Sequence, residues 1–224
     1  MKLMAEQVLS RQGWLARQPK DFQRLVFDEC QLQQFESGAS IYLQGDPPGG
    51  LYGLVAGAFG ISIAPGDGGP YLVHLGAVGM WIGEGPFLTG EPRRVELAAA
   101  TPCVVLNLPL HAMERMAAED SMAVRRFAQI AISNLDLALN VISDLMIAQP
   151  ERRIAAVLLR SAGVQAEPLV RVSQADLGRM ANASRKLVSK ALRRFSESGW
   201  VETGYNAIKI RDTRALKSFV DSAR

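Results

Sequence analysis

Cysteine and histidine are scarce in this chain. Two cysteines (Cys30, Cys103) and two histidines (His74, His111) occur among 224 residues. Two thiols far apart in sequence form neither a disulfide framework nor a CxxC metal site, and an iron–sulfur site needs four. A reducing cytoplasm is the simplest compartment for such cysteine usage. One histidine in a strand-like run and one near a loop make no ligand pair, and no Ser/His/Asp or metal constellation accompanies any carboxylate, so no enzyme is expected. Long apolar runs are also missing. The longest uncharged stretch, roughly 97–113, is broken by Pro102 and Pro109 and reads as strand and loop, too short and interrupted to span a membrane. The first residues, MKLMAEQVLSRQGWLARQP, lack the basic and apolar regions of a secretory signal.

Apolar residues make up 48% of the chain and charged residues 21%, a globular composition. The formal net charge of +3 hides an asymmetry. Residues 1–150 carry 10 Lys+Arg against 15 Asp+Glu, a net of −5, whereas residues 151–224 carry 15 against 7, a net of +8. A polyanionic partner therefore belongs to the C-terminal third.

Residues 6–35 read as one or two helices. The character changes at Gly38: 15 of the 20 glycines fall between 38 and 90, among alternating runs such as Phe59–Ile63 and Tyr71–Leu75. PGDGGP (65–70) between those runs is a hairpin signal, and 95–108 reads as further strand. Many short strands with glycine-rich turns predict antiparallel sheet in a sandwich or roll. Residues 121–148 contain neither Gly nor Pro and predict a helix of about 42 Å. Along it Val124, Ala128, Ala131, Leu135, Ala138, Ile142 and Leu145 recur at spacings of four and three. That seam suits a second copy of the same helix, and the flanking apolar residues suit the chain's own sheet domain. The expected organisation is an effector domain over 1–120, a dimer helix over 121–148 and a basic domain over 149–224.

The basic domain has a recognisable grammar. Ser173 is an N-cap with Asp176 three residues on. After the turn Ala181-Asn182-Ala183, Ser184 caps a second helix. Val188, Ala191, Leu192 and Phe195 form its buried stripe; Arg185, Lys186, Ser189, Lys190 and Arg193 face outward. Residues 200–212 then read as a hairpin with Thr203–Asn206 at its tip. Helix, turn, helix and hairpin make a winged helix-turn-helix, whose second helix enters the major groove of double-stranded DNA. Arg185, Lys186, Ser189 and Lys190 are candidates for base edges. Arg193, Arg194, Arg179 and Lys209 are candidates for phosphates.

Several stretches together resemble the cyclic-AMP receptor protein family of bacterial transcription regulators, which includes the fumarate and nitrate reduction regulators. FESGASIYLQGDPPGGLYGLVAGAFGI (35–61) resembles the start of that family's β-roll, and GEGPFLTGEPRR (83–94) its phosphate-binding cassette. RRIAAVLL (152–159) and ASRKLVSKALRRF (183–195) resemble helices of its DNA domain. The resemblance covers nearly all of 20–215. It implies an α+β fold: an N-terminal antiparallel β-roll like a cyclic-nucleotide-binding domain, a long dimerisation helix and a C-terminal winged helix-turn-helix. It also implies a homodimer, joined through Ala131, Leu135, Ala138, Ile142 and Leu145, on a pseudo-palindromic site, with RNA polymerase as a further partner. For the cassette it implies that Glu84 accepts from a ribose 2′-hydroxyl, that Arg93 pairs with the phosphate of cyclic AMP or cyclic GMP, and that backbone N–H groups near Gly83 assist.

The chain departs from that pattern in places. The cassette is slightly shorter and contains Pro86, and Arg94, the fourth candidate ligand residue, stands where cyclic-AMP binders usually have Ser or Thr: its extra charge suits a more anionic ligand, or a salt bridge to Glu84 or Glu91 in an empty pocket. Ala138 and Leu139 stand where hydroxyls usually meet adenine, and neither can hydrogen-bond. Lys186 occupies a position where Glu is usual, which predicts a different half-site. Three readings of the pocket stay open: a cyclic nucleotide, another small ligand, or a degenerate pocket in a ligand-independent or architectural DNA-binding protein.

Overall fold

The computed structural model describes residues 1–64, 66, 69–163 and 168–222. Its contacts divide it into two units, one of residues 1–70 and 75–137, the other of 138–224 with 71–74.

The first unit begins with three helices, α1 (Lys2–Leu9), α2 (Gly13–Ala16) and α3 (Lys20–Glu29). The helical expectation over 6–35 fails at its end: β1 (Gln31–Phe35) pairs antiparallel with β8 (Cys103–Leu108). Between them come β2 (Ser40–Tyr42), β3 (Leu51–Ala56), β4 (Phe59–Ile63), β5 (Tyr71–Gly76), β6 (Trp81–Ile82), the short helix α4 (Gly85–Thr89) and β7 (Glu96–Ala99). The strands form two four-stranded sheets, in the orders β1-β8-β3-β6 and β2-β7-β4-β5. This is the antiparallel sheet domain that the glycine-punctuated alternation predicts. Pro65, Asp67 and Gly68 of the expected hairpin turn lie outside the described residues. Leu54, Phe59, Leu97 and Val105 from the two sheets are fully buried.

Residues 110–113, read as strand or loop, belong instead to a helix, α5 (Leu110–Glu119), which Pro109 opens. Proline at a helix start lacks only an N–H that would go unpaired there. The long helix α6 runs Met122–Leu145, a few residues shorter than expected. Its inward stripe is Ala123, Phe127 and Ile130. Phe127 lies within 5.2–5.8 Å, ring centre to ring centre, of Trp14, Phe22 and Phe87. Phe87 sits on α4, so the cassette helix and the long helix share one aromatic cluster. Trp14 also donates to the Arg126 carbonyl at 2.8 Å.

The second unit contains α7 (Pro150–Ala162), β9 (Leu169–Val170), α8 (Gln174–Met180), α9 (Arg185–Glu197), β10 (Val201–Gly204), β11 (Ala207–Ile210) and α10 (Thr213–Asp221). The wing sheet has the order β10-β11-β9. Ser173 and Ser184 cap α8 and α9, accepting from the N–H groups of Asp176 and Leu187. Val188, Ala191, Leu192 and Phe195 are buried, matching the predicted stripe. Phe195 stacks on Trp200 and meets Phe219 edge-on. The turn between α8 and α9 is so tight that a Cβ on Gly178 would lie 2.7 Å from the Ala183 carbonyl oxygen, which is why glycine stands there.

Candidate functional site

The cassette folds around two buried charges. β6 ends at Gly83, whose φ of +111° favours glycine and whose Cβ, if present, would lie 2.7 Å from the Arg93 guanidinium. Glu84 and Arg93 are only 8% and 5% exposed, and they do not pair with each other. Glu84 accepts from the Gly83 N–H through Oε2 at 3.0 Å and from Asn134 Nδ2 through Oε1 at 3.0 Å. Arg93 donates to the carbonyls of Gly83 (3.1 Å) and Gly50 (2.8 Å). Its guanidinium also lies 4.2 Å from the Tyr42 ring centre. Burial pushes the Tyr42 phenol above its ordinary range, against the opposing effect of the Arg93 cation. Arg93 is thus a buried cation held by carbonyl dipoles and an aromatic face, with no carboxylate at ion-pair distance among the described residues. Such a group is matched to an incoming oxyanion.

Of the four expected ligand residues, Gly83, Glu84 and Arg93 come together. Arg94 is exposed and pairs with neither Glu84 nor Glu91. Asn134 went unnoticed in the sequence. Its one signal is a polar side chain on the inward stripe of α6, one turn after Ile130. Ala138 and Leu139 fall in the second unit and are both exposed.

In the second unit, α9 presents Arg185, Lys186 and Arg193 exposed and without an ion pair among the described residues; Ser189 is half-buried. Lys190 and Arg194 are engaged differently. Both reach Glu151 on α7, at 3.8 and 2.6 Å, and Arg194 also lies 5.1 Å from the Phe219 ring centre. Arg179 pairs with Asp176 at 2.8 Å, and Lys209 is half-buried on β11. A groove of about 390 Å³ runs beside Arg185, between Gln174 and the wing residues Thr203–Asn206. Tyr205 at the wing tip is fully exposed. Glu151 is a second residue that sequence reasoning missed; nothing local to α7 marks it as the partner of cations on α9.

Two family descriptions match these two regions: Cyclic nucleotide-binding domain over residues 32–120 and Crp-like helix-turn-helix domain over residues 152–219. The chain belongs to the cyclic-AMP receptor protein and fumarate and nitrate reduction regulator family of bacterial transcription regulators. Like other members of this family, it combines an antiparallel sheet domain, a long helix and a helix-turn-helix. A CRP-like cAMP-activated global transcriptional regulator of Mycobacterium tuberculosis is 22% identical over 218 residues, covering 94% of this chain and 97% of the relative. The structure of FixK2 from Bradyrhizobium japonicum matches with a TM-score of 0.75 at 20% identity, covering 87% of this chain and 99% of that one. TTHB099, a family regulator from Thermus thermophilus, matches with a TM-score of 0.67 at 25% identity, covering 85% and 97%. Among the described residues, this family member has no helix long and apolar enough to cross a membrane and no cluster of metal-ligating side chains.

Proposed function

We propose that this regulator works as a cytoplasmic homodimer on a pseudo-palindromic DNA site, with a small anionic effector bound at Arg93. The observation behind the effector is the buried Arg93 guanidinium, without a carboxylate partner among the described residues. A cyclic nucleotide fits this chemistry: its phosphate would take Arg93 and its ribose hydroxyl would take Glu84. The α6 seam supports the dimer. Leu135, Ile142 and Leu145 are 53%, 54% and 43% exposed in the single chain, although each belongs to a regular apolar stripe. On DNA, Arg185, Lys186 and Ser189 would read base edges. Arg193, Arg194, Arg179 and Lys209 would hold phosphates, and Lys190, drawn to Glu151 beside Arg194, would join them rather than read a base edge; cations with present partners would exchange them on binding. RNA polymerase is the further protein partner this reading carries.

A second reading has its own observation. Asn134 already occupies one oxygen of Glu84, and Arg93 already has two carbonyl acceptors. A pocket satisfied in this way suits a regulator that binds DNA without an effector. Calorimetric titration with cyclic AMP and cyclic GMP, using Arg93→Ala as control, separates the two. Saturable heat lost in the variant supports the effector; no heat with either nucleotide, together with tight DNA binding by the free protein, supports the second reading. Selection of preferred duplexes by the wild type and by Lys186→Glu tests base reading. An unchanged half-site would remove Lys186 from that role.

A further inference from the structure

Three arginines on α7 face three different situations. Arg153 is fully used, donating to the carbonyls of Ile147, Ala181 and Asn182. Arg160 pairs with Asp144 at 2.7 Å. Arg152 has neither kind of partner. The residue is half-buried, but its Nε and Nη1 are shut off from solvent and have no hydrogen-bond acceptor among the described residues. What it does have is the Phe219 ring, 5.5 Å from its guanidinium carbon. Guanidinium N–H groups desolvated without acceptors are unfavourable, and each calls for a use.

Arg152 lines an open cleft of about 480 Å³ on the second unit, where the end of α6, the start of α7 and the end of α10 meet. Half-buried Ile147 and Val220 and the 79%-exposed Met146 supply apolar wall, while exposed Ser143 and Gln149 supply polar groups. The size lies within the range of small-molecule sites, roughly 300–1,000 Å³. Arg152 is also the third residue of a 13-residue helix whose N-cap, Gln149, makes no side-chain capping bond. The positive end of α7 therefore adds to the guanidinium. The acidic neighbour Glu151 is turned to Lys190 and Arg194 and does not neutralise Arg152.

We infer that this cleft binds a small organic anion with an apolar body, its carboxylate or phosphate oxygens on Arg152 and its body against Met146, Ile147 and Val220. The site shares no residue with the Glu84–Arg93 pocket and does not depend on a nucleotide binding there. A ligand in it would touch α6, α7 and α10 at once, stiffening the bend at 146–149 from which the helix-turn-helix starts.

The probe is octanoate, titrated into the full-length protein by calorimetry and by two-dimensional NMR. Octanol serves as the uncharged counterpart and inorganic phosphate as the charge without a body. The expected result is saturable octanoate binding that perturbs the resonances of Ile147 and Val220 and weakens at least about tenfold in Arg152→Met, with octanol and phosphate both weaker than octanoate. Arg152→Met should also raise the melting temperature of the ligand-free protein, because it removes two desolvated N–H groups that have no acceptor. Should that variant misfold, Val220→Trp keeps Arg152 but fills the apolar wall, and must likewise abolish binding. The inference is overturned by equal octanoate affinity in Arg152→Met or Val220→Trp and wild type, by octanol binding as well as octanoate, or by no saturation at about 10 mM octanoate, beyond the millimolar range of weak specific sites.

Discussion

Replacing Asn134 with alanine tests how the cassette is held. The Asn134 amide donates at 3.0 Å to a Glu84 carboxylate that is only 8% exposed. A hydrogen bond to a charged group contributes about 1.5–3 kcal/mol, and a buried acceptor left alone loses the greater part of that. The Gly83 N–H still serves the other oxygen, so the carboxylate is not wholly stripped. Asn134→Ala should therefore destabilise the first unit by about 1.5–3 kcal/mol, a fall in Tm of about 3–12 °C for a chain of this size. Trp14 and Trp81 both lie in the first unit and Trp200 in the second, so urea unfolding followed by fluorescence in a Trp200→Phe background reports the first unit alone. A double-mutant cycle with Glu84→Gln should show coupling of about 1 kcal/mol or more. Asn134→Asp should cost more than alanine at neutral pH, because it sets two carboxylates side by side, and should recover as acid protonates one of them. A loss below about 0.5 kcal/mol for Asn134→Ala, with no coupling to Glu84→Gln, would falsify the idea that this bond organises the cassette.

Phe127→Ala, at a fully buried position in contact with Trp14, Phe22 and Phe87, should cost about 3–5 kcal/mol in the same unfolding assay. Glu151→Gln should release Lys190 and Arg194 in both protomers and steepen the salt dependence of DNA binding by up to about 3.6 logarithmic units per decade; an unchanged slope would mean that neither side chain reaches a phosphate. Ile142→Lys removes one exposed apolar side chain from each copy of the seam, so sedimentation should find self-association weakened about 10²–10⁴-fold, the worth of about 3–6 kcal/mol per pair. Burial pushes the Cys30 thiol up to about 12; its thiolate at pH 8 is scarce, and iodoacetamide should label the native protein about 10³-fold more slowly than the unfolded chain. Fast native labelling would show that the helices around Cys30 open readily.

The helix-turn-helix was legible because its determinants are local. Ser173 and Ser184 cap their own helices, the 188–195 stripe has helical spacing, and the wing is a short hairpin. The α6 seam was visible for the same reason, as periodicity within one segment. Gln31–Phe35 was misread because its strand character comes from pairing with Cys103–Leu108, far away in sequence, and such pairing outweighs local preference. The helix over 110–119 was hidden by an apolar run with two prolines, one of which turned out to open it. In the pocket, the residue types of Glu84 and Arg93 were readable from the cassette, but their actual partners were not. Asn134 lies fifty positions from Glu84, and Gly50 more than forty from Arg93. Contacts of that span leave no periodic trace. The ion pairs of Glu151 with α9 were invisible for the same reason.

Asn134 and Leu135 are consecutive residues on α6, yet one grips the cassette and the other stands on the exposed seam. Successive side chains on a helix diverge by about 100° at a radius of about 5 Å. A roll of α6 about its own axis by roughly 10° therefore carries both by nearly 1 Å, in directions fixed relative to each other. That is enough to lengthen the amide–carboxylate bond beyond useful reach while sliding the leucine across its stripe. The helix thus acts as a common shaft, and no rearrangement that rolls it at the cassette leaves the seam in its former register.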